Sequence, residues 1–361
     1  MKISKIHVET VMIPIENARS AAFNGLPAIV VRVATDAGTD GIGYTISLTP
    51  EHTRSLATMV EELGAILVGH DPRQPERLAA RMMYPANWVG PGGLLNLAAA
   101  ALDIAVWDII GKACGEPLWR LLGGYADRAR VYDSGSLVHV DAEAQQKAAE
   151  RSLRAGYRAM KMRPWNSRSQ HPRDIAEEVR MVRDVIGYDV DLMLDMNQTF
   201  SPSRAIRVGR ELEQFDLFWI EDPTLMHDVA GQAAIARALD VPICAGEYHY
   251  GLPPLLRLLQ ERAVDYLMVD LLRVGGITQF RKVAGMAEAF GVPVASHLLP
   301  ELFAHLIAAI PNGLIVEGGV PWTERLFTEQ PQLLDGHLVL SERPGHGLSL
   351  DETFIRTHRL V

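Results

Sequence analysis

Seven residues able to do acid–base or metal chemistry close short apolar runs: Lys161, Asp195, Glu221, Glu247, Asp270, His297 and Glu317. Subtracting neighbours gives separations of 34, 26, 26, 23, 27 and 20 residues. Each is about one strand plus one helix, a spacing that brings all seven to the C-terminal rim of a βα barrel, where barrel enzymes carry their chemistry.

Asp195, Glu221 and Glu247 come from three consecutive runs. Converging carboxylates repel and raise one another's pKa, and a divalent cation removes that conflict. An oxygen-only ligand set selects a hard ion, Mg²⁺ first and Mn²⁺ second, one per chain. Three protein ligands leave about half of an octahedral shell open to substrate and water. Asn197, two residues beyond Asp195, should share its side of the strand and orient a ligand or substrate oxygen. An ordinary strand-end hydrogen bond is its bland alternative.

Lys161 and Arg163 alternate on one run and should face the same way. Arg163 stays cationic at any working pH. A cation beside Lys161 should depress the lysine pKa and suit it to a general base, unless the pair only balances the carboxylates. Asp270 and His297 end neighbouring runs, so the carboxylate can fix the imidazole tautomer and raise its basicity. Glu317 can donate to a developing oxyanion if burial keeps it protonated.

The elements that must position these groups are legible in the pattern. Near-continuous apolar runs at 131–136, 159–163, 191–197, 218–222, 242–247, 266–270, 293–297 and 314–317 read as strands buried on both faces, each followed by a helical pattern. Eight such units imply an α/β barrel over residues 126–320. Before it, residues 1–125 read as an α+β lobe. Strands are expected at 2–15, 28–35 and 40–46, the last two forming a hairpin around DAGTDG. Helices are expected from about Glu51 to Leu67 and from about Gly93 to Gly115. Residues 321–361 carry no βα pattern and are expected to pack back on the first lobe.

A formal net charge of −9 with no long basic run argues against a nucleic-acid surface. It leaves a small anionic substrate open, since a bound cation inverts the local field. Only two cysteines, Cys114 and Cys244, occur, and they form no CxxC pair. The first residues alternate apolar and polar without a signal-peptide pattern, and no run approaches the ~20 apolar residues of a membrane span. A cytoplasmic protein with no membrane partner is expected.

On these residues, and on AAAALDIAVWDIIGKACGEPLWRLLGG, YDSGSL, KMR, LDMNQ, IEDPTLMHD, AGEYHYG, VDLLRVGGIT, ASH and IVEGG, the chain resembles the enolase superfamily, and within it the mandelate racemase subgroup. The resemblance spans nearly the whole sequence. It implies an N-terminal α+β capping lobe over a modified (β/α)7β TIM-type barrel, and Mg²⁺-assisted removal of the proton α to a carboxylate. It implies a small-molecule carboxylate substrate and a homo-oligomer, an octamer or smaller. Asp270–His297 matches the subgroup dyad. The muconate-cycloisomerase and dipeptide-epimerase branch places lysine at position 270, which disfavours that branch. Mandelate racemase has Lys-x-Lys on the second strand, its second lysine a base. Here that position is Arg163, whose pKa above ~12 makes it a poor base. With His297 as the one reliable base, the resemblance implies an acid-sugar dehydratase giving a 2-keto-3-deoxy acid. A 2-hydroxy acid racemase or epimerase using Lys161 as second base is the alternative, and a non-catalytic binding protein the third. The loop at 15–25, with Asn17, Arg19, Phe23 and Asn24, sits where the family closes a loop over substrate. Its polar groups, Arg19 and Asn24 above all, suit a polyhydroxylated or diacid substrate.

Overall fold

The computed structural model describes residues 1–15, 25–47, 50–138, 141–164, 171–320 and 322–360. Asn17, Arg19, Phe23 and Asn24 lie outside the described residues.

The N-terminal lobe is a three-stranded antiparallel sheet, β1 (Ile3–Ile13), β2 (Leu26–Thr35) and β3 (Gly41–Ile46), in the order β1-β2-β3. The expected β2–β3 hairpin forms. Its turn is tied by the Thr35 hydroxyl, which accepts from Ala37 N and Thr39 N, and by Asp40, which accepts from Thr35 N. Helix Leu94–Cys114 lies directly on β3. A Cβ on Gly41 would meet Ala105 O at 2.2 Å, and one on Gly43 would meet Ala101 O at 1.9 Å, so glycine is what permits the approach. The helix ends at Gly115 in the left-handed region (φ 70°), the ordinary glycine C-cap.

This helix corrects one expectation. It has 21 residues and a mean hydropathy of 1.7 over its most apolar window, enough by length and composition to cross a bilayer. That window is 83% buried inside the fold, and the helix carries Asp103, Asp108 and Lys112. It is the lobe's core helix, apolar over most of its surface because most of that surface is covered.

Eight parallel strands close the barrel: β4 (Arg128–Leu137), β5 (Ala159–Met162), β6 (Asp191–Asp195), β7 (Trp219–Glu221), β8 (Ile243–Ala245), β9 (Tyr266–Asp270), β10 (Val294–His297) and β11 (Gly313–Gly318). They pair in chain order, and β11 returns to β4. Helices separate the strands up to β11, and none of comparable length follows it before β12, which is the (β/α)7β form. The floor of the barrel is filled by Tyr132, Met193, Trp219, Cys244 and Met268, packed with no exposed surface. Several strands are shorter than the sequence suggests, and two of these differences move site residues off the strand. β6 stops at Asp195, leaving Asn197 at φ 45° in the turn beyond, and β8 stops at Ala245, two residues before Glu247.

After the barrel, β12 (Gln332–Leu334) and β13 (His337–Val339) form a hairpin that adds antiparallel to β4. Helix Glu352–His358 then returns to the lobe, where Arg32 forks onto Glu352 at 2.8 and 2.9 Å. The C-terminal segment therefore touches both barrel and lobe.

Candidate active site

Strand register builds the site. Asp195 stands opposite Glu221 on β6–β7, and His297 opposite Asp270 on β9–β10. All seven residues singled out by spacing sit at the same end of the barrel, each at most 8% exposed. Three of them, Glu247, His297 and Glu317, line a cavity of about 250 Å³ together with Arg163 and Asn197.

The chain turns sharply just past these groups. Asn197 and Gln198 follow Asp195 at φ 45° and 57°, Asp222 follows Glu221 at φ 40°, and Leu298 and Leu299 follow His297 at φ 56° and 49°. Such left-handed residues are costly and cluster where surrounding structure over-determines the backbone.

The carboxylates converge with one difference from expectation. Ligand oxygens of Glu221, Asp222 and Glu247 lie within 4.8 Å of one another. Asp222 joins them from the turn, and its Oδ2 is buried without a hydrogen-bond partner. Asp195 is beside them, but Arg163 Nε donates to its Oδ2 at 2.7 Å and Asn197 N to its Oδ1 at 2.8 Å. Burial pushes the Glu221 carboxyl up to about 8; Lys161 pulls against this, while Asp195, Glu247 and Glu317 add to it. Burial, with Glu247 and Glu221 adding their charge, also holds Asp222 well above the usual carboxylate range. A buried, oxygen-only cluster with an orphaned carboxylate oxygen fits a hard divalent cation.

Lys161 departs from the sequence reading. It is 1% exposed, with Nζ 2.6 Å from Glu221 Oε1 and 3.0 Å from Glu317 Oε1. Burial alone would lower its pKa, but Glu221, Glu317, Tyr132 and Asp195 outweigh that and drive it well above the ordinary lysine value. The expected depression by Arg163 fails because the charges of Glu221 and Glu317, with Nζ on both, set the balance. Arg163 is itself raised, chiefly by Asp195.

Glu317 departs as well. Burial would raise it, but Lys161, His297, Ser134 and the Leu298 N–H at 2.6 Å bring it down to about 2. It is a carboxylate that accepts hydrogen bonds, and cannot donate one to an oxyanion in this arrangement.

The dyad forms directly. His297 Nδ1 lies 2.7 Å from Asp270 Oδ2, and Nε2 lies 3.5 Å from Glu247 Oε1. Burial would lower the imidazole pKa, but Glu247, Asp270 and Glu317 raise it to about 9. Burial would raise Asp270, and the His297 bond and charge leave it below its usual value.

Three residues of the site carry no signal in strand spacing. Asp222 is the second half of an acidic doublet, IED, and acidic side chains tolerate left-handed backbone better than most. Arg273 lies in the one-turn helix Leu271–Val274 past β9 and Tyr248 in the turn past β8, where the period of the strand has already ended.

Residues 2–123 match the N-terminal domain family of mandelate racemase and muconate lactonizing enzyme, and residues 143–354 match the enolase C-terminal domain-like family. The chain is 32% identical to 3,6-anhydro-alpha-L-galactonate cycloisomerase of Streptomyces coelicolor, covering 99% of each chain. It is also 32% identical to L-talarate/galactarate dehydratase of Salmonella typhimurium, over 92% of this chain and 83% of that one. The magnesium- and L-glucarate-bound structure of L-talarate dehydratase from Polaromonas sp. JS666 superposes with a TM-score of 0.93 at 31% identity, covering 100% of this chain and 98% of that one.

Proposed function

The chain belongs to the mandelate racemase/muconate lactonizing enzyme family, and from that premise we propose that it is a Mg²⁺-dependent acid-sugar dehydratase. One observation carries the choice of reaction. Both cations at the end of β5 are held on carboxylates, Lys161 on Glu221 and Glu317, Arg163 on Asp195, while His297 lines the cavity. Inverting a carbon centre needs a base on each face, whereas elimination needs one.

Asp195, Glu221 and Glu247 would hold the cation, with Asp222 beside them. When bound, a divalent cation there supplies the charge that makes a proton α to a carboxylate acidic enough to leave. Asp270 accepts from Nδ1–H of His297 and so leaves Nε2 as the lone-pair nitrogen. Nε2 takes the α-proton. The electron pair of that C–H bond forms the C=C bond, and the β-carbon–oxygen bond breaks. The departing hydroxyl takes the proton that His297 carries and leaves as water. The enol then tautomerises to the 2-keto-3-deoxy acid. Lys161 and Arg163 stay protonated and offset the carboxylate charge around the reacting group. The relative bound to L-glucarate and the one that acts on talarate and galactarate support sugar acids as the substrate class. A cytoplasmic homo-oligomer is the setting this reading implies.

The test is a screen of mono- and diacid sugars with Mg²⁺, reading keto acid as its semicarbazone. Keto acid formation supports the proposal. Inverted, deuterated substrate in D₂O without keto acid would instead establish a racemase with Lys161 as the second base.

A further inference from the structure

We infer that Arg273, gripped from the N-terminal lobe by Asn96, is a positioning residue that sets Glu247 and Asp270 in place. The inference rests on the metal-site reading above and extends the site into the lobe.

Arg273 has three polar groups, and each holds something different. Its backbone N–H, with that of Leu272, donates to Asp270 Oδ1 at 2.8 Å, so the other carboxylate oxygen is aimed at His297. Its side-chain Nη1 donates to the Glu247 carbonyl at 2.7 Å, and its guanidinium lies 4.8 Å over the Tyr248 ring. Its carbonyl accepts from Gly251 N at 3.1 Å and from Asn96 Nδ2 at 2.9 Å.

The segment Gly246–Gly251 is therefore held at both ends by one residue. It needs holding. Gly246 sits at φ 139°, where a Cβ would come within 2.3 Å of Met268 O, so Glu247 leaves the strand through a position that only glycine fits. A fully charged donor to a carbonyl makes a stronger bond than a neutral one. Removing a partner that orients a metal ligand typically costs about 10- to 100-fold in metal affinity.

Asn96 supplies the other end of the grip. It is 2% exposed, on the core helix of the lobe, and its Oδ1 accepts from Gly92 N at 3.0 Å. Seven residues on, two helical turns along the same face, Asp103 accepts from Thr278 N at 2.8 Å, just past the Arg273 turn. The lobe helix thus holds the chain after β9 at two points, Arg273 and Thr278. The path Asn96–Arg273–Glu247 makes the lobe part of the metal site through its core helix, independently of any loop that covers the cavity.

The test follows Mn²⁺ binding to metal-stripped protein by electron paramagnetic resonance, with thermal unfolding in parallel. Arg273→Met should weaken Mn²⁺ binding roughly 10- to 100-fold, with Arg273→Lys between it and wild type. Asn96→Leu should weaken binding in the same direction, by a factor of about 3 to 10. Folded Arg273→Met, or folded Asn96→Leu and Arg273→Lys should the methionine variant not fold, binding Mn²⁺ as wild type does would overturn the inference. A lowered melting temperature with unchanged Mn²⁺ affinity counts the same way, because a purely structural brace predicts it. Wild-type protein that binds no Mn²⁺ would sink the functional reading as well, and so separates the two failures.

Discussion

His297 and Asp270 are register partners on adjacent strands, with Nδ1 2.7 Å from Oδ2, while Asp270 Oδ1 is taken by two backbone N–H groups. That second fact dictates what an amide would do. In Asp270→Asn the single oxygen is claimed by Leu272 N and Arg273 N, so the NH₂ must face His297. The ring then accepts at Nδ1 and carries its proton on Nε2, the nitrogen meant to take one. Asp270→Asn should lower kcat by roughly 10²–10⁴ and leave Mn²⁺ affinity near wild type. His297→Asn should abolish exchange of the α-proton in D₂O. Exchange at the wild-type rate in His297→Asn would remove His297 as the base, and in Asp270→Asn it would remove Asp270 as the group that sets its tautomer.

Lys161 is predicted to matter for folding as much as for chemistry. It is the buried cation between Glu221 and Glu317. Lys161→Met removes it and leaves two buried carboxylates without their partner. Breaking a buried ion pair on one side costs about 3–5 kcal/mol, so chemical denaturation of the metal-free variant should show a loss of that order. Excess Mg²⁺ should recover part of it, since a cation ligated by Glu221 replaces some of the missing charge. A variant as stable as wild type without metal would show that the pair is not formed.

Metal affinity should rise with pH. Glu221 sits at about 8 and Asp222 above its usual range, and His297 is held at about 9 with the Glu247 charge as the largest pull toward that value. Ligands must be deprotonated to bind, so binding competes with protons and releases them. Below pH 8 the apparent Mg²⁺ affinity should fall by up to tenfold per pH unit for each proton displaced. The charge on Glu247 is also what a bound cation offsets, so binding should free His297 to act as a base. Calorimetry in buffers of different ionisation enthalpy measures the release. Affinity flat from pH 6 to 9, with no protons released, would contradict the arrangement.

The parts legible in the sequence are those that follow from chain geometry. A βα unit has a nearly constant length, so chemistry-bearing residues at that spacing share a barrel rim, and Asp270 and His297 meet because their strands are neighbours. Ionisation is not legible this way. The Lys161 pKa turns on Glu221 and then on Glu317, which reaches it only through closure of β11 on β4, while the nearer sequence neighbour Arg163 is drawn off to Asp195. Asp222 and Arg273 escape for a related reason. Asp222 lies just past the end of β7 and Arg273 in the short helix just past β9, where period-two alternation no longer says which way a side chain faces.

The lobe–barrel contact has a pH dependence of its own. Burial pushes the Asp103 carboxyl up to about 7, against the hydrogen bonds from Thr278. An unfolded aspartate titrates near 3.9. Between those values the folded protein keeps a proton that the unfolded chain has lost. Stability from this group is therefore complete below about pH 4, is lost as pH rises toward 7, and changes little above it. Asparagine keeps the site neutral and does not titrate: its oxygen accepts from Thr278 N, and its NH₂ faces Thr278 Oγ1 once the threonine hydroxyl, which donates to Asp103 in the native protein, turns away. Asp103→Asn should match wild type in thermal unfolding at pH 4–5 and exceed it at pH 8. An unchanged slope between pH 4 and 7 would show that Asp103 is ionised within the folded protein.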